Sequence, residues 1–291
     1  MKRVSSPSAP DDNRDYLDAL PPLREVISAY NLRAEKSLGQ NFLLDSNITD
    51  KIVSLMDGQF SADMSVFEIG PGPGGLTRSL VRSNAKQIIA LEYDPRAIEA
   101  LGDLTQQADG RLDVRHGDAL EVDVRSLSER PRAIVANLPY NIATPLLISW
   151  LKIISADKND ISVMGLMFQK EVAERIVAKP GGKTYGRLSV MAQWLCDVQK
   201  VYDLPPSAFT PPPKVSSSIV RFTPKILREG SPSFASVEKI TAMAFNQRRK
   251  MIRASLKLHL NAIEALGLDP TLRAENLSVA DFVALAEQIE G

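Results

Sequence analysis

The sequence is poor in the residues that most often announce a site. Its single cysteine, Cys196, excludes an internal disulfide framework, and the apolar setting "WLCDV" marks an inert buried thiol. Only two histidines occur, His116 and His259, without the clustered spacing of metal ligands, so no structural metal is expected. No run approaches the roughly 18 consecutive apolar residues of a membrane span. The first fifteen residues, "MKRVSSPSAPDDNRD", lack the apolar core of a secretory signal, and Asp11, Asp12 and Asp15 argue against an organelle transit peptide. Residues 1–20 are therefore expected to be a disordered leader and the protein cytoplasmic. Formal net charge is zero, which gives no bulk argument for a nucleic-acid partner.

What is present is a core. With 44% hydrophobic residues in 291, the chain can hold one large α/β domain and a small appendage. After a helix near Pro22–Asn31, apolar runs rich in β-branched residues ("SVFEI", "QIIALE", "LDVRH", "AIVAN", "ISVMGLMF") alternate with helical patterns near Leu76–Arg82, Pro95–Gln107 and Thr144–Ile154. That rhythm predicts a parallel sheet covered on both faces. Two later runs, "WLCDVQKVY" and "SSIVRF", have no evident helix between them and read as an antiparallel pair closing one edge. The aperiodic, Pro- and Gly-containing "FTPKILREGSPSF" marks a boundary, which places an α/β domain over 21–227 and a small all-helical domain over 232–291.

The segment "EIGPGPGGLT" has the spacing of a dinucleotide-binding turn, with Gly70, Gly72 and Gly75 between a strand and a helix. Pro71 and Pro73, however, each delete a backbone N–H that would otherwise point at a phosphate. No Gly-Lys-Ser/Thr follows, so a Walker loop is excluded. A loop of close backbone approach and few donors suits an uncharged nucleoside better than a pyrophosphate; a plain strand-to-helix turn is the other reading. Glu92, ending the second strand, is placed to accept both ribose hydroxyls, as in sites for either NAD or S-adenosylmethionine. Asp118, after the third strand, could accept a hydrogen bond from an adenine amino group.

"NLPYNIATP", Asn137–Pro145, follows the fourth strand. An exocyclic adenine amine is a poor nucleophile because its lone pair is delocalised into the ring. Acceptance of its two N–H bonds by the Asn137 side chain and the Leu138 carbonyl would let the nitrogen pyramidalise. Pro139 would fix the turn, and Tyr140 would offer a face for the base. The alternative is a Pro-containing loop whose Asn caps a helix.

With these motifs in this order, the chain resembles the ribosomal RNA adenine N6,N6-dimethyltransferases, most closely the bacterial small-subunit type. The resemblance runs from about Leu23 to about Leu260 and includes "KSLGQNFLLD", "YGRLSV" and "FTPPPKVSSSIVRF". It implies a Rossmann-like methyltransferase sheet with a C-terminal helical domain. It also implies S-adenosylmethionine as cofactor, held by Gln40, Asn41, Leu43, Gly70, Gly72, Glu92, Tyr93, Asp118, Ala119 and Asn137. The catalytic set it implies is Asn137, Leu138, Pro139, Tyr140 and Phe209, with Phe209 as the second aromatic face of the target base. Ser216, where relatives often carry Asp, is a local departure. The implied partner is small-subunit ribosomal RNA or an assembly intermediate, met by a monomer without metal or membrane.

In "AFNQRRKMIRASLK" five basic residues occur with no acid. The spacing of Arg249, Lys250, Arg253 and Lys257 predicts a positive stripe along one helix face, with Arg248 beside it, suited to RNA phosphates. A solvated helix face is the plainer reading. Three rivals share parts of this pattern: a large-subunit methyltransferase of the antibiotic-resistance type, a non-catalytic ribosome-assembly factor, and a dehydrogenase.

Overall fold

The alternating β-branched runs form the strands of one mixed sheet. A computed structural model describes residues 17, 19–32 and 41–290; the expected leader falls largely outside them. The elements run α1 (Leu23–Ala29), β1 (Phe42–Leu43), α2 (Ser46–Asp57), β2 (Ser65–Ile69), α3 (Gly75–Val81), β3 (Gln87–Glu92), α4 (Pro95–Ala100), α5 (Gly102–Gln107), β4 (Leu112–His116), β5 (Arg132–Ala136) and α6 (Tyr140–Ala156). They continue with β6 (Val163–Gln169), α7 (Lys170–Ile176), α8 (Arg187–Leu195), β7 (Cys196–Leu204), β8 (Phe209–Thr210), β9 (Ser217–Pro224), α9 (Phe234–Asn246), α10 (Ile252–Ser255), α11 (Leu260–Ala265) and α12 (Val279–Glu290).

The seven-stranded sheet has the order β4-β3-β2-β5-β6-β9-β7. Strands β4, β3, β2, β5 and β6 are parallel, while β9 runs antiparallel to both β6 and β7. The chain moves outward from β2 through β3 to β4 and then returns to place β5 beside β2. Strand order therefore reverses between β2 and β5, and the loops leaving those two strands diverge to open a crevice at their carboxyl ends. Those loops are Gly70–Gly74 and Asn137–Pro139.

Alternate residues of each central strand enter different halves of the core. Phe67, Ile69, Ile134 and Ala136 pack with α6 and α8, while Val66, Ile88, Ala133 and Val135 pack with α2, α3 and α5. Every residue of β2 and β5 is buried, as strands covered on both faces require. The first cluster does not stop at the sheet: it continues through Val190 and Trp194 of α8 into Val237 and Ile240 of α9 and Phe282 and Leu285 of α12. Residues 234–290 hold helices and 3-10 turns, with one isolated antiparallel bridge between Met251 and Arg273.

Several boundaries differ from the sequence reading. The helix expected over Pro95–Gln107 breaks into α4 and α5 at Leu101, where the following Gly102 lowers the propensity to continue. Helix α6 starts at Tyr140, not Thr144, and carries Pro145 within it; the proline marks the interior, not the first position. Trp194 and Leu195 end α8, so β7 begins only at Cys196. Helices α2, α7 and α8 had not been singled out. The basic segment is also not one helix: α9 ends at Asn246, Gln247–Lys250 form a turn, and α10 starts at Ile252. Without a continuous helix, three- and four-residue spacing no longer sets Arg249, Lys250, Arg253 and Lys257 on a common face.

Candidate active site

The crevice at the strand-order reversal holds a cavity of about 250 Å³. Asn41, Leu43, Gly70, Gly72, Glu92, Tyr93, Asp118, Ala119, Asn137, Leu138, Pro139 and Tyr140 all line it. The topology has thus gathered five separate chain segments into one wall. Gln40 lies outside the described residues.

The glycine loop is shaped by what fills it. Gly70 and Gly72 have φ of +67° and +54°, a region that costs a residue with a Cβ. The N–H of Gly72 donates to Glu92 Oε2 at 3.0 Å. Glu92 Oε1 accepts from the N–H groups of Tyr93 at 2.7 Å and Asp94 at 2.9 Å. A buried carboxylate held by three backbone donors therefore sits where a pyrophosphate would need donors and no negative charge. A Cβ on Gly75 would lie 2.1 Å from the Leu43 carbonyl oxygen, and one on Gly72 would lie 2.9 Å from the Phe42 ring. The glycine spacing thus admits the Asn41–Leu43 segment against the start of α3, and its likeness to a dinucleotide turn is coincidental.

A second carboxyl group escaped the sequence reading. Glu68, in the middle of the loop's entering strand, is 2% exposed and lines the cavity. Its pKa is pushed up to about 8, chiefly by burial, with the Thr77 hydroxyl opposing and the Glu92 charge reinforcing the rise. Its Oε2 is buried without a hydrogen-bond partner. The visible signal was a charged residue inside an otherwise apolar strand. Together with Glu92, it makes this end of the cavity receptive to a cationic ligand and hostile to a phosphate. That donor set fits S-adenosylmethionine, whose ammonium and sulfonium are both positive and whose ribose carries hydroxyl donors.

At the other wall, the Asn137 side chain donates from Nδ2 to the Asn41 carbonyl at 2.8 Å. Among the described residues no donor reaches Asn137 Oδ1 or the Leu138 carbonyl. Pro139, with φ of −55°, precedes the first residue of α6, Tyr140. The Tyr140 hydroxyl is 2.7 Å from Ser217 Oγ, and burial raises its pKa. Asp118 is held by the Leu120 N–H at 2.8 Å. Tyr93, 62% exposed, stacks on His116 at the rim.

Phe209 departs from expectation. Its strand β8 pairs with β1, setting Leu43 opposite Phe209, but its side chain is 3% exposed and packs in the cluster containing Leu43, Leu204 and Ile219. It is not among the residues that line the cavity, and its ring is packed as a large aromatic against the core. Arg248 departs too. Its Nε is 3.0 Å from Glu275 Oε2, and its Nη2 donates to the carbonyls of Lys183 and Tyr185. Arg249, Lys250 and Arg253 are exposed.

A doubly wound sheet of this order, carrying a nucleoside-sized crevice with a ribose-type carboxylate and an Asn-Leu-Pro-Tyr turn, defines a Rossmann-like methyltransferase. The ribosomal RNA adenine dimethylase model matches residues 31–290, and the chain belongs to that family. A ribosomal RNA small subunit methyltransferase A of Rhodospirillum rubrum is 50% identical over 276 residues, 94% of each chain. The protein of the same name from Dinoroseobacter shibae is 50% identical over 278 residues, 94% of this chain and 98% of that one. Among solved structures, a dimethyladenosine transferase from Plasmodium falciparum matches with a TM-score of 0.70 at 28% identity, covering 83% of this chain and 94% of its own. The 23S rRNA methyltransferase ErmE, at 24% identity and a TM-score of 0.65 over 86% of this chain and all of its own, shares the fold.

Proposed function

We propose that this protein transfers methyl groups from S-adenosylmethionine to the N6 amines of adjacent adenosines in small-subunit ribosomal RNA, giving N6,N6-dimethyladenosine. The observation that carries the reading is the Asn137 side chain, whose donor end is held by Asn41 while its acceptor end is left free beside the Leu138 carbonyl. The names of the 50% identical relatives favour the small subunit over the large one.

S-adenosylmethionine, when bound, supplies an electrophilic methyl group. Glu92 would accept from its ribose hydroxyls, Glu68 would meet its ammonium, and Asn41 and Leu43 would cover it. Asn137 Oδ1 and the Leu138 carbonyl accept the two N–H bonds of the target amine, so its lone pair leaves ring conjugation and turns toward the methyl donor. A monomethylated amine retains one N–H and can still use one acceptor, which makes a second transfer possible. Tyr140 holds one face of the base, fixed by Ser217. Orientation supplies most of the acceleration, since the amine needs alignment more than a strong base. The base must leave its stack to enter, and stacking on an aromatic returns roughly 1–3 kcal/mol. Among the described residues no helix is long and apolar enough to cross a membrane and no group of metal-binding side chains occurs.

The test is to incubate the protein with S-adenosylmethionine and undermethylated small subunits, with large subunits in parallel, and to identify nucleosides by mass spectrometry. Dimethyladenosine from small subunits alone is expected. Methylation of large subunits alone would transfer the reading to the resistance type, and no methyl in either, despite cofactor binding, would leave an assembly factor.

A further inference from the structure

We propose that Gln169 is a specificity-determining residue for the target base: its amide N–H donates to a ring nitrogen of the adenine whose exocyclic amine is received by Asn137 and Leu138. The inference rests on the reading that an adenine amine is the methyl acceptor, and it deepens that reading by naming the group that holds the rest of the base's edge.

Sheet order brings Gln169 to this place. Strand β6 lies between β5 and β9. Tyr140 begins on the β5 side, directly after the Asn137–Pro139 turn, yet its hydroxyl is 2.7 Å from the Oγ of Ser217, the first residue of β9. The phenol side chain therefore crosses the carboxyl end of β6, whose last residue is Gln169. Gln169 and Ser217 are direct partners across the β6–β9 ladder. The Lys170 N–H donates to the Ser216 carbonyl at 2.9 Å, which carries the pairing one residue further and pins the register.

The alternation of side chains gives the same answer. Along β6, Leu166 and Phe168 enter one half of the core and Met167 the other, so Gln169 shares the face of Met167. Along β9, Ile219 belongs to the half that holds Met167, so Ser217 shares that face as well. Opposed residues on one face of an antiparallel pair have Cβ atoms roughly 5 Å apart. The Gln169 side chain thus starts beside the hydroxyl that fixes Tyr140, the ring on which the base is to rest. Leu43, which lines the cavity, packs in the same half of the core.

Gln169 is half-buried. Among the described residues no hydrogen bond engages its amide, and the amide is not sealed in the core as an orphan. The chemistry of the base calls for such a donor. Adenine carries its amine between N1 and N7, both acceptors, and a base drawn out of its stack loses the donors those nitrogens had. An acceptor left unpaired against an apolar wall is costly. Asn137 Oδ1 and the Leu138 carbonyl, being acceptors, cannot serve it. A glutamine amide can, and its geometry suits an adenine edge. Asn141, exposed and lining the cavity, offers a second amide, so it enters the test as the rival.

The test measures kcat/KM for methyl transfer to small subunits reconstituted with 1-deazaadenosine or 7-deazaadenosine at the methylated positions, each analogue replacing one ring nitrogen by C–H. With one of the two, the wild type should lose roughly 3- to 10-fold, the scale of one hydrogen bond. Gln169→Met, of similar length and without a donor, should lose about as much on natural adenosine and nothing further on that analogue. The shared loss, not either loss alone, carries the assignment. Gln169→Glu, which sets an acceptor against an acceptor, should lose more than Gln169→Met. S-adenosylhomocysteine affinity should stay unchanged in both variants. A full analogue penalty in Gln169→Met, loss of that penalty in Asn141→Ala instead, wild-type indifference to both analogues, or a drop in S-adenosylhomocysteine affinity matching the loss of transfer would overturn the proposal. Wild-type failure to methylate natural small subunits would sink the functional reading itself, and this inference with it.

Discussion

The Asn137 amide donates to the backbone carbonyl of Asn41, 2.8 Å away. In the proposed mechanism this bond ties the segment assigned to cover the cofactor to the residue assigned to receive the substrate amine, and it fixes which end of the amide is left to accept. Asn137→Ala should lower methyl transfer by at least about 10²-fold, the scale of a misplaced reacting group. S-adenosylhomocysteine affinity should fall only modestly. Parallel product analysis and calorimetry check this; equal losses in both would assign Asn137 to cofactor binding alone.

Glu68 gives a pH dependence whose sign is fixed. An unfolded glutamate ionises near 4.5, whereas folded Glu68 keeps its proton to about 8. The native state therefore binds more protons across that window, and this group's contribution to stability falls as pH rises from about 4.5 to about 8. Glu68→Gln should raise the thermal midpoint more at pH 8 than at pH 5. Binding of a ligand with an ammonium group favours the ionised carboxylate, so near neutrality S-adenosylhomocysteine should release a proton. Calorimetry in buffers of different ionisation enthalpy measures that proton; Glu68→Gln should abolish it.

Gly75→Ala should dislodge the covering segment, since its Cβ would meet the Leu43 carbonyl at 2.1 Å. Cofactor affinity is expected to drop by an order of magnitude or more. Gly102→Ala, with nothing within 4 Å of the new Cβ, should leave affinity unchanged and stabilise α5 by about 0.5–1 kcal/mol. Equal effects of the two substitutions on affinity would refute the packing role of Gly75.

Phe209→Ala removes a buried ring from the core shared with Leu43. A cost of about 3–5 kcal/mol is expected, visible as a lowered denaturation midpoint. A variant of native stability that has lost methyl transfer would instead return Phe209 to the role of base-stacking partner.

Most of the sheet was legible because strands buried on both faces read as short apolar runs, and Ser65–Ile69 and Gln87–Glu92 coincide with their strands; Leu112–His116, a half-buried edge strand, was legible from its alternating Leu112 and Val114. The cavity-lining positions were legible because ligand contacts of this fold fall at strand ends, where Glu92, Asp118 and Asn137 stand out as polar residues closing apolar runs. Glu68 was missed because its neighbours hid it within a strand. Charge and spacing could reveal neither the turn at Gln247–Lys250 nor that Glu275 and two carbonyls engage the Arg248 guanidinium. The burial of Phe209 in the core was not legible, because sequence order does not say whether an aromatic at a loop end turns inward or toward a ligand.

The apolar cluster that passes from β5 and β6 through α8 into α9 and α12 has a consequence for how the molecule comes apart. Cut after β9, the chain would leave Val190 and Trp194 facing water with nothing to cover them. The methyl-donor crevice and the basic turn should therefore melt in one calorimetric transition, and a subunit-gripping tail should not be separable as an independent module. Evolution can retune the turn's charges freely, but it cannot discard the helices that present them without exposing the back of the catalytic sheet.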